Sequence, residues 1–429
     1  MKKRFLLPLS CAALFMTNTI NAQLEYSPMA VPYSVAPTGI NNSGTVVGVL
    51  DVHTYLLWKK GQEVEQIGEL ADNVMQTLFI QIGADNNKIS ALMFNNDTGK
   101  YEASLYDVNS QYWTNLGGMG GSMDRLTSSP YAMSTDSSTI VGLAYDSDKK
   151  ARAFKWTQAT GFVNLGSLID RTMTRADAIS GNNQVIGGWQ DQEDGSRSGA
   201  YWVDGVEKII KDDAGEWVGF VRSISYDGTK LAGNPLWGAY PYYYNRTTNK
   251  VTYIIGKGST ADFFYKGSIN GMTADGKTVI GYFGSIRSSA TEGFMWSEAT
   301  GYVDFTDYVK SLGIDVQGEY LHPTAISPDG LKVTGSTKSK KLFRVDLTQY
   351  LAAQNANKTA IKIYPNPASN VLNISGLKAD TKISIHNVAG QLVKTSTSSQ
   401  IDINSLPKGN YVVSYEVDGK STSQKFIKQ

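Results

Sequence analysis

The chain has 429 residues, 40 basic and 39 acidic side chains, and one cysteine, Cys11. The formal net charge of +1 is scattered, which gives no footing to a nucleic-acid or anionic-membrane partner. The lone cysteine excludes thiolate zinc sites and iron–sulfur centres, and a chain this long needs no disulfide staples to bury a core.

Met1-Lys2-Lys3-Arg4 is basic and leads into the apolar run Phe5 to Met16, with small Ala22 closing a short polar stretch. This is the layout of a secretory signal, with cleavage expected before Gln23. The run is too short for a permanent span, so no membrane span is expected in the mature chain. Pro8-Leu9-Ser10 before Cys11 is a poor lipoprotein motif, and few apolar residues precede it. Residues 1–22 are therefore read as a signal peptide, and the mature chain carries no cysteine.

A repeat follows. Its start reads Thr38-Gly-Ile-Asn-Asn-Ser-Gly-Thr-Val-Val-Gly48 and returns from Tyr131, Ala178, Ser223, Gly271 and Ala325, with a degenerate copy from Ile82. The small residue ending each start falls at 48, 91, 142, 187, 233, 281 and 335. Each unit then carries an aromatic strand, such as Phe154-Lys155-Trp156 or Tyr201-Trp202, and several add a fourth run, as in Gly161 to Gly166. Asn-Asn and Asp-Gly supply the positive φ of tight hairpins, and the anchor glycine predicts a backbone approach too close for a Cβ. Four strands per unit of about 40–50 residues is propeller-blade spacing. The body, 23–347, is expected to be an all-β, seven-bladed propeller; six and eight blades stay open because the second unit is degenerate. Leu24 to Val35 is expected to supply the outer strand that the last unit lacks.

The Gly39-Ile40-Asn41 and Ala178-Ile179-Ser180 starts, Val46-Val47-Gly48, Phe154-Lys155-Trp156 and Gly161 to Gly166 resemble the HAF repeats of bacterial surface proteins. The resemblance implies an exported β-propeller and transfers no catalytic residue.

Residues 348–360 are polar and unpatterned and read as a linker. From 361 to 429 the rhythm is period two with Pro and Gly at the turns, which predicts a small β-sandwich. Tyr364-Pro365-Asn366-Pro367, the Asn387 to Gly390 turn, Leu406-x-x-Gly409-x-Tyr411 and the lysine-bearing end resemble the type A sorting domain of the type IX secretion system of Bacteroidota. That resemblance implies the outer-membrane translocon and a sortase-like protease as partners of 361–429. It also implies a secreted protein, either released or held at the cell surface.

Chemistry in the body is sparse. The three histidines are His53, His322 and His386, and no Gly-x-Ser-x-Gly, His-Glu-x-x-His or P-loop occurs. No catalytic residue, cofactor or metal site is assigned. Asp-Gly turns such as Ser327-Pro-Asp-Gly330 are read as hairpins. Residues just before the inner strands would ring the channel mouth: Arg175, Asp177, Arg222, Asn270 and His322. Trp189, Trp237 and Tyr240 in the loops after the anchors are candidate stacking platforms; blade packing is the competing reading of Trp237 to Tyr244. The tentative ligand-binding set is Arg175, Asp177, Arg222, Trp237, Tyr240 and His322. Three functions are weighed: a module binding a glycan, peptide or surface partner; a polysaccharide hydrolase or lyase; and a structural or adhesive protein. Paired acids at the channel mouth would favour the second.

Overall fold

Short strands that are apolar on both faces stay dry only when sheets stack on sheets. The computed structural model of the chain has that arrangement. It describes residues 24–30, 36–50, 53–70, 79–84, 88–235, 240–256, 267–284, 292–350, 361–377, 380–417 and 420–429. The expected signal segment, most of the expected linker and Trp237 lie outside them. The chain divides into two units, with the boundary between Thr348 and Gln349.

Among the described residues, the first unit holds seven four-stranded antiparallel sheets. Their innermost strands are Ala36–Ile40, Gln81–Ile82, Ser128–Met133, Thr174–Ile179, Val221–Ile224, Gly267–Met272 and Leu321–Ile326. Each packs against the next, and the seventh packs back on the first, so the sheets form a closed ring. Six sheets are simple meanders; in the seventh, Leu24–Ala30 pairs antiparallel outside Lys341–Asp346, with Leu24 opposite Val345 and Tyr26 opposite Phe343. The expected closing strand is thus in place, and the ring leaves no long unpaired edge at the junction.

Arg344 fastens that strand. Its buried guanidinium lies 4.5 Å above the Trp58 ring, donates to the Gly44 carbonyl at 2.6 Å, and pairs with Glu25. Between sheets the core is aromatic: Tyr243, Phe283, Phe294 and Trp296 fill one interface, and Tyr201, Tyr242 and Tyr244 another. Each such side chain contributes about 1.5–3 kcal/mol by leaving water. The hydroxyls of Tyr242 and Tyr243 stay satisfied by donating to the Gly219 and Gly276 carbonyls at 2.9 and 3.0 Å. The tyrosine run is blade packing.

The anchor glycines have a steric cause. Gly142, Gly188, Gly281 and Gly335 face Pro130, Ala176, Ile269 and Pro323, and the ladder slips by one residue immediately afterwards. A Cβ at Gly188 would sit 1.9 Å from the Arg175 carbonyl oxygen, and one at Gly335 the same distance from that of His322. The fourth copy carries two glycines, and its register makes Gly188 the anchor instead of Gly187. The slip is a β-bulge, and it recurs in six inner strands at Thr38, Tyr131, Asp177, Arg222, Asn270 and Thr324. The two-residue strand Gln81–Ile82 shows none, and its repeat has Ala91 where the others have the anchor glycine.

At the other end of the described inner strands, turns such as Asp227-Gly228 and Asn182-Asn183 form hairpins. In one, Asp227 accepts from Ser225 and Thr229 while Gly228 takes φ +72°. Backbone bonds run from hairpin to hairpin, Asn182 to Tyr226, Tyr226 to Ala274 and Ala274 to Pro328, all at 2.7–2.9 Å.

In the second unit, Lys362–Tyr364, Val371–Ser375 and Gln400–Asp402 form one sheet. Leu392–Ser396, Ile383–Asn387, Gly409–Val417 and Lys420–Lys428 form the other. Alternating Leu372 and Ile374, Ile383 and Ile385, and Tyr411 and Val413 meet Phe426 in its core.

Candidate functional site

A bulge leaves one residue outside the ladder, and here that residue faces the axis of the ring. All six bulge residues line a cavity of about 320 Å³ that reaches towards the hairpin turns at Ala84, Thr135 and Pro328. Part of this ring caps itself. Thr38 donates to the Ile80 carbonyl at 2.6 Å, Thr324 to that of Pro37 at 2.6 Å, and Asn270 to that of Pro323 at 3.0 Å. These carbonyls precede inner-strand bulges or the second inner strand, so backbone groups next to the cavity are satisfied from within the ring.

The rest is charged and aromatic. The Asp177 carboxylate is fully enclosed, 3.0 Å from an Arg175 nitrogen and 3.7 Å from an Arg222 nitrogen. Neither of its oxygens has a well-aligned hydrogen bond, and neither does Arg175 Nε. The Arg175 guanidinium lies 4.2 Å over the Tyr131 ring, and that of Arg222 lies 4.6 Å over Phe79. Phe79 and Tyr131 are 4.8 Å apart, centre to centre, and continue the aromatic wall. Burial works against the charge on Arg175, but Asp177 and Tyr131 more than offset it, so its pKa lies above the ordinary guanidinium value. At Arg222 burial outweighs the pull of Asp177, and neighbouring Arg175 adds repulsion, so the pKa is lowered.

The residues expected around the channel mouth lie on the inner strands themselves, not before them. Asp177, Arg222 and Asn270 occupy the same bulge position on three successive strands and face the cavity. Arg175 stands behind them, between Tyr131 and Trp189. His322 lies two residues before the bulge residue Thr324, buried beside the Tyr320 ring at 5.3 Å, and is not in the cavity lining. Tyr240 is half-buried and also absent from that lining. Trp189 lies on a strand, 3% exposed, between the Arg175 and Arg197 guanidiniums, so it offers no free face for stacking. Phe79, Tyr131 and Tyr282 line the cavity without having been singled out by sequence. For Tyr131 a signal existed: like Asp177, Arg222 and Asn270, it stands two residues before the Ile or Met that precedes each hairpin.

Residues 362–429 match the family described as the secretion system C-terminal sorting domain. That domain marks the protein for the cell surface or the extracellular space. A comparison with curated proteins finds no match. Three solved structures are similar to the chain. Virginiamycin B lyase from Staphylococcus aureus with quinupristin is 12% identical, covering 76% of this chain and 99% of that one, with a TM-score of 0.47. The β-propeller domain of the trilobed protease from Pyrococcus furiosus is 12% identical over 76% and 95%, at 0.43. A chain of the mitotic checkpoint complex is 13% identical over 81% and 98%, at 0.43.

Proposed function

We propose that the exported propeller is a binding module whose ligand seats in the central cavity. One observation carries this reading: among the described residues lining the cavity, Asp177 is the only carboxylate, beside Arg222 and the rings of Phe79, Tyr131 and Tyr282. Hydrolysis of a glycosidic bond ordinarily uses two carboxyl groups, about 5–9.5 Å apart. A single buried acid held by two arginines suits recognition better than general acid–base work, because no second carboxyl stands beside it in the cavity lining to share that work. Aromatic walls with a few convergent polar groups are the usual make-up of a ligand pocket. The sorting domain takes part only in delivery.

The test is glycan-array binding by the purified protein beside a polysaccharide depolymerisation screen. Saturable binding without product is expected. Release of product from any polymer would overturn the reading, and silence in both assays would move the assignment to adhesion.

A further inference from the structure

Two guanidiniums share one carboxylate at the cavity wall. Arg175 and Arg222 both approach Asp177, and Asp177 and Arg222 are the only charged residues among the described ones that line the cavity. The group therefore carries one surplus positive charge in a desolvated place. A buried charge without a counter-ion is unfavourable, whereas one that can pair with an incoming anion is a ready-made receptor. The surplus falls on Arg222. Arg175 is the closer partner of Asp177 and is held between two rings, whereas Arg222 lies at 3.7 Å, has the Phe79 ring on one side and borders the cavity. Asp177 in turn has two enclosed oxygens without an aligned donor.

From this arrangement we infer that the cavity selects a small monoanion, a sugar acid whose carboxylate pairs with Arg222 and whose hydroxyls face the polar wall of the cavity. The inference rests on the binding reading above and specifies its ligand. Charge balance decides among the candidates. A phosphate monoester brings about two negative charges, which would leave an unpaired negative charge beside Asp177. A zwitterionic amino acid brings none in net terms and leaves the surplus where it was. A carboxylate brings one, and its planar geometry matches the guanidinium fork. The remaining wall, with Thr38, Gln81, Asn270 and Ser336 among its polar members, offers partners for those hydroxyls. The volume of about 320 Å³ lies at the small end of ligand pockets, on a sugar scale and not a polymer one.

The experiment titrates the purified protein by calorimetry with D-glucuronate, D-glucose and an N-acetyl amino acid, and repeats it with Arg222→Met. Glucuronate is expected to bind at least about tenfold more tightly than glucose, a gap that Arg222→Met removes. N-Acetyl amino acid binding that exceeds glucuronate would assign the carboxylate to a peptide source and overturn the sugar-acid inference. Equal binding of glucuronate and glucose would overturn the anion inference while leaving the cavity a binding site. No binding of any probe, together with an array that also stays silent, would overturn both. A second readout needs no ligand. Because Arg175 still neutralises Asp177 in Arg222→Met, the variant is expected to melt at or above the wild-type temperature; a large fall would show Arg222 to be a structural counter-ion and overturn the proposal.

Discussion

At Gly188 one added methyl group would meet the backbone oxygen of Arg175 at 1.9 Å, and neither strand can yield without losing ladder bonds. Gly188→Ala is therefore expected to cost about 2–3 kcal/mol, checked by urea unfolding, and to disturb the Asp177 bulge beside it. Glu207 acts at the same scale through pH. Burial raises its pKa to about 7, and the Leu168 N–H and the Arg152 charge only partly offset that. The unfolded carboxyl titrates near 4.5, so the folded chain holds the proton more tightly. The stabilisation is complete below that value and is lost as pH rises through about 7. Between pH 5 and 8 the loss is expected to be on the order of 1–2 kcal/mol after solvent screening. Glu207→Gln, whose side-chain oxygen still accepts from Leu168, should flatten that slope in melts run across the range.

The strand Leu24–Ala30 illustrates how an element depends on partners far away in sequence. Glu25 and Arg344 are separated by 319 residues, and Arg344 is 3% exposed. Glu25→Ala leaves that guanidinium with its carbonyls but without its carboxylate, and is expected to cost about 1–3 kcal/mol. A protein beginning after residue 30 bares the edge of Lys341–Asp346 and is expected to associate as its concentration rises, which light scattering would detect. Strands and turns were legible because period-two alternation and Asp-Gly chemistry are local. The closing strand was legible because the last unit was short by one. The bulges were not: a ladder slip is a relation between two strands, and the anchor glycine marks the close approach without showing the slip. The cavity residues went half-seen for the same reason. Asp177, Arg222 and Asn270 stood out as polar, but Tyr131 and Thr38 share their position without looking like site residues. Phe79 precedes the one inner strand that lacks a bulge, so no repeat alignment pointed to it.

For the whole molecule, residues 362–429 form a unit with its own core, and the body has another. Removing 362–429 is expected to leave the melting of the body unchanged while the protein stays inside the outer membrane, a contrast read by calorimetry and cell fractionation. The address was readable from ordered motifs, whereas the cavity is lined by side chains that separate repeats deliver to one axis.

Because the first strand of the ring pairs with the last, the body has no finished state until its final repeat exists. A nascent or translocating chain that has delivered six sheets still lacks the partner of Leu24, and in the finished body that one junction pushes the mean sequence distance of the contacts upward. Closure joins the two ends of the body, and long-range strand pairing of this kind is slow. Any chain truncated within the seventh repeat leaves Leu24–Ala30 unpaired and open to proteases. The junction thus works as an inspection of length: only a chain synthesised through Val345 can fasten itself shut.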